Sequence, residues 1–90
     1  MPLFDLLVMK TQGWWHHRNS KRKAYRDKVG ADATDVDALL DRAEKEMVSF
    51  EDESDAYRHS PEFLDRALVL AYEFARRHGG RKWTAIGFPL

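Results

Sequence analysis

The chain is 90 residues long, has no cysteine, and balances 15 Lys and Arg against 15 Asp and Glu. That length bounds it to one small domain, 1–90. The missing cysteine excludes disulfides, thiolate catalysis and cysteine-based zinc sites. The neutral sum hides blocks: residues 14–28 hold six cations and one acid, residues 32–65 twelve acids and three cations, and residues 66–90 five cations and one acid.

A hydrophobic share of 43% is enough for a packed core, so the chain is expected to fold. Pro2 to Met9 is an apolar run broken only by Asp5, of strand length and apolar on both faces. It reads as a buried strand, closed by the turn signal Thr11-Gln12-Gly13. Trp14-Trp15-His16-His17 leads into a basic stretch. Asn19 or Ser20 can cap a polar surface helix over 20–29, with Gly30 as its stop and Tyr25 and Val29 on one face.

Thr34 followed by Asp37 resembles a capping box, and Val36, Leu39, Leu40, Ala43, Met47 and Phe50 continue from it at helical spacing. The pattern predicts an amphipathic helix over 34–50 whose outer faces are acidic. Residues 51–55 read as a solvated loop. Ser60-Pro61-Glu62 is a strong helix start, and Phe63, Leu64, Ala67, Leu68, Leu70, Ala71, Phe74 and Ala75 make residues 61–78 the core helix. Gly79-Gly80 stops it after Arg76, Arg77 and His78, cations suited to a helix C-terminus. Lys82 to Phe88 alternates in the manner of a short strand, ended by Pro89. The expected fold is therefore α+β: a three-helix core with two short terminal strands paired to each other. The alternative is an all-α small helical bundle.

Several chemistries find no support. Acids at Asp32, Asp35 and Asp37 lack the spacing of a calcium loop. His16, His17, His59 and His78 show no helical zinc pairing, so no metal is expected. No nucleophile elbow or phosphate-binding glycine loop is present, so neither catalysis nor a cofactor is expected. Gly79-Gly80 before Arg81-Lys82 faintly resembles an anion-binding turn, but a helix stop explains it better. A helix-turn-helix joined at Gly30–Ala33 would drive an acidic second helix into a phosphate-lined groove.

Charge segregation points instead to binding. The favoured reading is a non-enzymatic protein-binding regulator or inhibitor, docking through the acidic helix 34–50 and the segment after it. Its candidate contacts are Asp35, Asp37, Asp41, Glu44, Glu46, Glu51, Asp52 and Glu53, facing a partner protein with a basic groove. The alternative is a nucleic-acid-associated protein. It would contact phosphates through Arg18, Lys21, Arg22, Lys23 and Arg26, with Trp14 or Trp15 stacking on bases. A third reading is a homo-oligomer in which the acidic block of one copy meets the basic block of another.

No apolar run approaches the roughly 20 residues that span a bilayer, so no membrane partner is expected. Met1–Lys10 lacks the basic region and cleavage site of a secretory signal. These features read as a cytoplasmic protein.

Overall fold

The structure, a computed structural model, describes residues 1–55 and 59–90. Their regular elements are all helical, in the order α1 (Leu3–Arg18), α2 (Lys23–Arg26), α3 (Val29–Lys45), α4 (Phe50–Asp55), α5 (Pro61–His78) and α6 (Arg81–Ala85). The expected α+β architecture is wrong: no strand occurs among the described residues, and both presumed terminal strands are helices. Arg58, counted with the acidic block, lies outside the described residues.

The first correction is at the N-terminus. Phe4, Leu7, Val8, Thr11 and Trp14 are the buried positions of α1. They recur at helical spacing, a period masked by the apolar residues Leu3, Leu6 and Met9 on the other faces. Gly13 does not break the helix, although a mid-helix glycine costs about 1 kcal/mol against alanine. Burial of Trp14 immediately after it outweighs that penalty. Thr11 is fully buried, and its hydroxyl donates to the Leu7 carbonyl at 2.7 Å, so its polar group is satisfied within the helix.

The second correction is at 20–29. Only one helical turn, α2, forms there, and residues 21–28 are all exposed. Without an apolar stripe to bury, and with Lys21, Arg22, Lys23 and Arg26 repelling one another, a longer helix gains too little to form. The third follows from it. Gly30 lies in the first turn of α3, and Thr34 is interior, its hydroxyl donating to the Gly30 carbonyl at 3.0 Å. No helix-turn-helix joint exists at Gly30–Ala33.

The acidic helix also ends earlier than its stripe suggests. Past Lys45, the Val48 amide donates to the Ala43 carbonyl at 2.9 Å and the Met47 amide to the Glu44 carbonyl at 3.2 Å. This is a Schellman stop with Met47 as its left-handed residue, at φ 59°. Met47, expected on the apolar stripe, therefore points into solvent. The predicted loop 51–55 is helical, as α4. Ser49 caps it, its hydroxyl accepting from the Asp52 amide at 3.1 Å, and three acids fill the positive first turn.

The core helix follows the sequence closely. The Ser60 hydroxyl accepts from the Phe63 amide at 3.1 Å, Pro61 opens α5, and Gly79 leaves it at φ 90°. The C-terminal stretch is not a strand. Trp83 and Ile86 are buried three residues apart on α6 and its turn, and a second Schellman stop uses Gly87 at φ 93°. In it the Phe88 amide donates to the Trp83 carbonyl at 3.1 Å and the Gly87 amide to the Thr84 carbonyl at 3.0 Å. The turn is also tied to α4, since the Phe50 amide donates to the Ile86 carbonyl at 2.8 Å.

Around these elements one apolar cluster forms. Helix α1 packs against α3 and α5, and α6 closes the end between α3 and α5. Trp14 meets Phe74 edge-on at 4.9 Å, Trp83 meets Phe88 edge-on at 4.9 Å, and Phe50 covers Phe88 at 4.8 Å. The aromatics of four helices, with Phe88 after α6, thus hold the two ends of the chain together without a sheet.

Candidate functional site

Two charged surfaces survive in three dimensions, and they are built differently. On α3, Asp35, Asp37, Asp41, Glu44 and Glu46 are all exposed. Lys82, at the start of α6, reaches back across the helix. Its ammonium donates to Asp37 Oδ2 at 2.8 Å and lies 2.9 Å from Asp41 Oδ1. Those two carboxylates raise the Lys82 pKa above its ordinary 10.5, Asp37 contributing most. Arg42 pairs with Glu46 one turn on. On α4, Glu51 and Asp52 are exposed, whereas Glu53 turns inward. Its carboxylate lies 2.8 Å from His59 Nε2, and the His59 ring stacks on Phe63 at 4.9 Å. Asp5 of α1 completes that part-buried group, 3.5 Å from the same nitrogen.

The basic surface is the segment joining α1 to α3. Trp14 is fully buried, so it offers no face for a base, and Trp15 is half-buried against the core, lining a surface groove with residues of α5. Arg18 is half-buried as well. Lys21, Arg22, Lys23, Arg26 and Lys28 are exposed, and none has a carboxylate within ion-pair distance among the described residues. Tyr25 organises them. Its ring stacks on His17 at 5.6 Å, and the Arg22 guanidinium and Lys28 ammonium each lie 5.6 Å from its centre. His17 Nδ1 in turn pairs with the Asp32 carboxylate of α3. The Arg26 guanidinium donates to the Ser20 carbonyl at 3.1 Å. The turn is therefore fastened to α1 through His17, which α3 holds in turn through Asp32, while its cations face solvent.

Sequence reasoning grouped the tryptophans with these cations; the structure separates them, sending Trp14 to the core. It missed His17, Tyr25 and Asp32 as the fastening of the turn, and Lys82 as the clamp on α3. The first had no local signal, since Asp32 is fifteen residues from His17. The second lay behind the misread terminal strand. Among the described residues, no three His, Asp or Glu side chains are arranged to hold a metal ion, and no helix is long and apolar enough to cross a membrane.

The fold and its surfaces thus define a small helical protein with segregated charge. In comparisons with known proteins, the chain matches no family model, no curated protein and no solved structure.

Proposed function

We propose that this chain is a non-enzymatic binding protein that regulates or inhibits a partner protein by docking on it, with the basic turn 21–28 as its leading contact surface. The observation that carries this reading is that Lys21, Arg22, Lys23, Arg26 and Lys28 have no carboxylate partner among the described residues, against α3 acids of which Asp37, Asp41 and Glu46 already hold cations of this chain. A surface whose charges are not internally compensated has the larger field to offer an oppositely charged patch. Such complementarity sets encounter rate and specificity. The partner surface is then acidic. Asp35 and Glu44 on α3, with Glu51 and Asp52 on α4, form the secondary contact. The absence of cysteine suits a reducing compartment, and we assign the protein to the cytoplasm.

The test is capture from the native host's soluble extract with three baits: the natural chain, an Arg22→Glu/Lys23→Glu/Arg26→Glu variant, and an Asp35→Lys/Glu44→Lys variant. The expected result is one protein retained by the first and third baits and lost from the second. Loss from the third bait alone would return the contact to the acidic helix. No specific retention by any bait sinks the reading.

A second reading, nucleic-acid phosphate binding, is favoured by the same five cations. With Trp14 buried, Trp15 half-buried and His17 already stacked on Tyr25, it has less aromatic surface for stacking than the sequence suggests. Duplex titration separates the two. If five phosphates are neutralised, log K falls with log salt at a slope of about −4.5.

A further inference from the structure

The outer face of α5 leaves two large apolar side chains in water. Val69 is 61% exposed and Tyr72 56%, more than any other large apolar residue inside a helix among the described residues. The opposite face is spent on the core through Ala67, Leu70, Ala71 and Phe74. Along the outer face the exposed residues Asp65, Val69, Tyr72 and Arg76 follow one another at spacings of four, three and four. That is the spacing of a two-helix seam. A groove of about 270 Å³ runs beside it, lined by Gln12, Trp15, His16, Arg66, Val69 and Leu70.

We propose that α5 pairs antiparallel with α5 of a second copy, giving a twofold-symmetric dimer with Val69 and Tyr72 at its centre. Charge decides both the occupant and the direction. In an antiparallel seam, Val69 lies against the partner's Tyr72, Asp65 against the partner's Arg76, and, on the flank, Arg66 against the partner's Glu73. Each contact occurs twice by symmetry. A parallel pairing would instead place Asp65 on Asp65 and Arg76 on Arg76, which repel. The seam is already ordered within one chain: the Arg76 guanidinium lies 5.9 Å from the Tyr72 ring centre, and its Nη1 is 3.7 Å from the Glu73 carboxylate. The groove beside Trp15 offers room for the partner's Tyr72 ring. Helix α5 has 18 residues, so the seam is about 27 Å long at ~1.5 Å per residue. One helix pair of that length falls at the small end of specific interfaces, so the dimer is reversible and concentration-dependent. No residue of the basic turn or of α3 takes part, so this contact stands apart from the partner-docking surface.

Sedimentation equilibrium of the full chain from about 10 μM to about 1 mM tests it, a range that brackets the weak dissociation constants of reversible dimers. The mass is expected to rise from 10.5 kDa toward twice that value. Val69→Lys sets two cations beside the symmetry axis and is expected to weaken association at least about tenfold, as for a central interface residue. Asp65→Arg and Arg76→Asp are each expected to remain monomeric alone. An equimolar mixture should dimerise, because the new cation of the first variant meets the new carboxylate of the second. All three positions are exposed, so the substitutions are expected to leave the fold intact, which far-ultraviolet circular dichroism checks. Monomer mass throughout the range overturns the proposal. So does a dimer that ignores the Val69 and charge-swap variants, or one dissolved instead by Arg22→Glu/Lys23→Glu, which would be a head-to-tail contact of the basic turn.

Discussion

Helix α3 and the turn before it carry opposite charge and are held in opposite ways. The helix rests on a buried stripe of Val36, Leu40 and Ala43, and part of its acidic face is bound to cations of the same chain. The turn buries none of residues 21–28, and its cations are unpaired among the described residues. Its position depends on Tyr25, His17 and Asp32 instead. The difference teaches that a block of charge in a sequence says little about availability. One block is partly spent on holding α6 to α3; the other is presented.

The sharpest way to separate structure from surface within residues 14–28 is Trp14→Ala. Trp14 is fully buried against Phe74, so its truncation is expected to cost about 3–5 kcal/mol, read as a drop in the denaturation midpoint. Lys23→Ala in the same segment should leave the midpoint within about 0.5 kcal/mol of the natural chain. Equal effects from the two would erase the division drawn here.

Next in size is the loss of docking. Reversing Arg22, Lys23 and Arg26 should weaken partner binding at least about tenfold and flatten its salt dependence, measured by titration once the partner is in hand. An unchanged slope would show that these cations are not at the contact.

The end of the acidic helix offers a smaller and opposite change. Met47 occupies a left-handed position, which costs a non-glycine residue about 1–2 kcal/mol. The matching stop after α6 uses Gly87. Met47→Gly is expected to raise stability by up to about 1 kcal/mol, since glycine's greater freedom in the unfolded chain offsets part of the relief. A lower unfolding midpoint would show that the Met47 side chain contributes more than its exposure suggests.

The smallest effect belongs to the Lys82 clamp, which is solvent-facing. Its pKa is raised in the folded state, so its contribution is fully present below the ordinary 10.5 and fades as pH rises through the higher folded value. The gap in melting temperature between the natural chain and Lys82→Gln should be steady from pH 6 to pH 9, narrow in strongly alkaline solution, and shrink in high salt. A gap that does not close at high pH would mean that packing by the lysine stem, rather than its charge, holds α6.

How much of this could be read in the sequence depends on whether a segment carried its own instructions. Helix α5 did, because Ser60, Pro61, the apolar period and Gly79 are local signals that agree with one another. Helix α3 was half legible: its stripe was visible, but it starts five residues before Thr34 and ends five residues before the expected 50, bounds set by the packing of Val29 and by the turn at Val48. The terminal segments were misread for one shared reason. Pro2 to Met9 is apolar on every face, and Lys82 to Phe88 is too short to show a period, so neither distinguishes helix from strand until it meets a neighbour. For α1 that neighbour is the α3–α5 groove, and for α6 it is the aromatic cluster of Phe74, Phe88 and Phe50.

The sequence by itself determined the inventory: no cysteine, a helix-forming core segment with its caps, and charge gathered into blocks of alternating sign. Those are properties of residue type and spacing, which no packing can alter. Only the tertiary structure decided that both ends are helical, that Trp14 belongs to the core rather than to the basic surface, and that Lys82 holds Asp37 and Asp41 while Lys21, Arg22 and Lys23 hold no carboxylate among the described residues. Each of those outcomes rests on a contact between residues far apart in the chain, and the free energy of such a contact is not written in either partner alone.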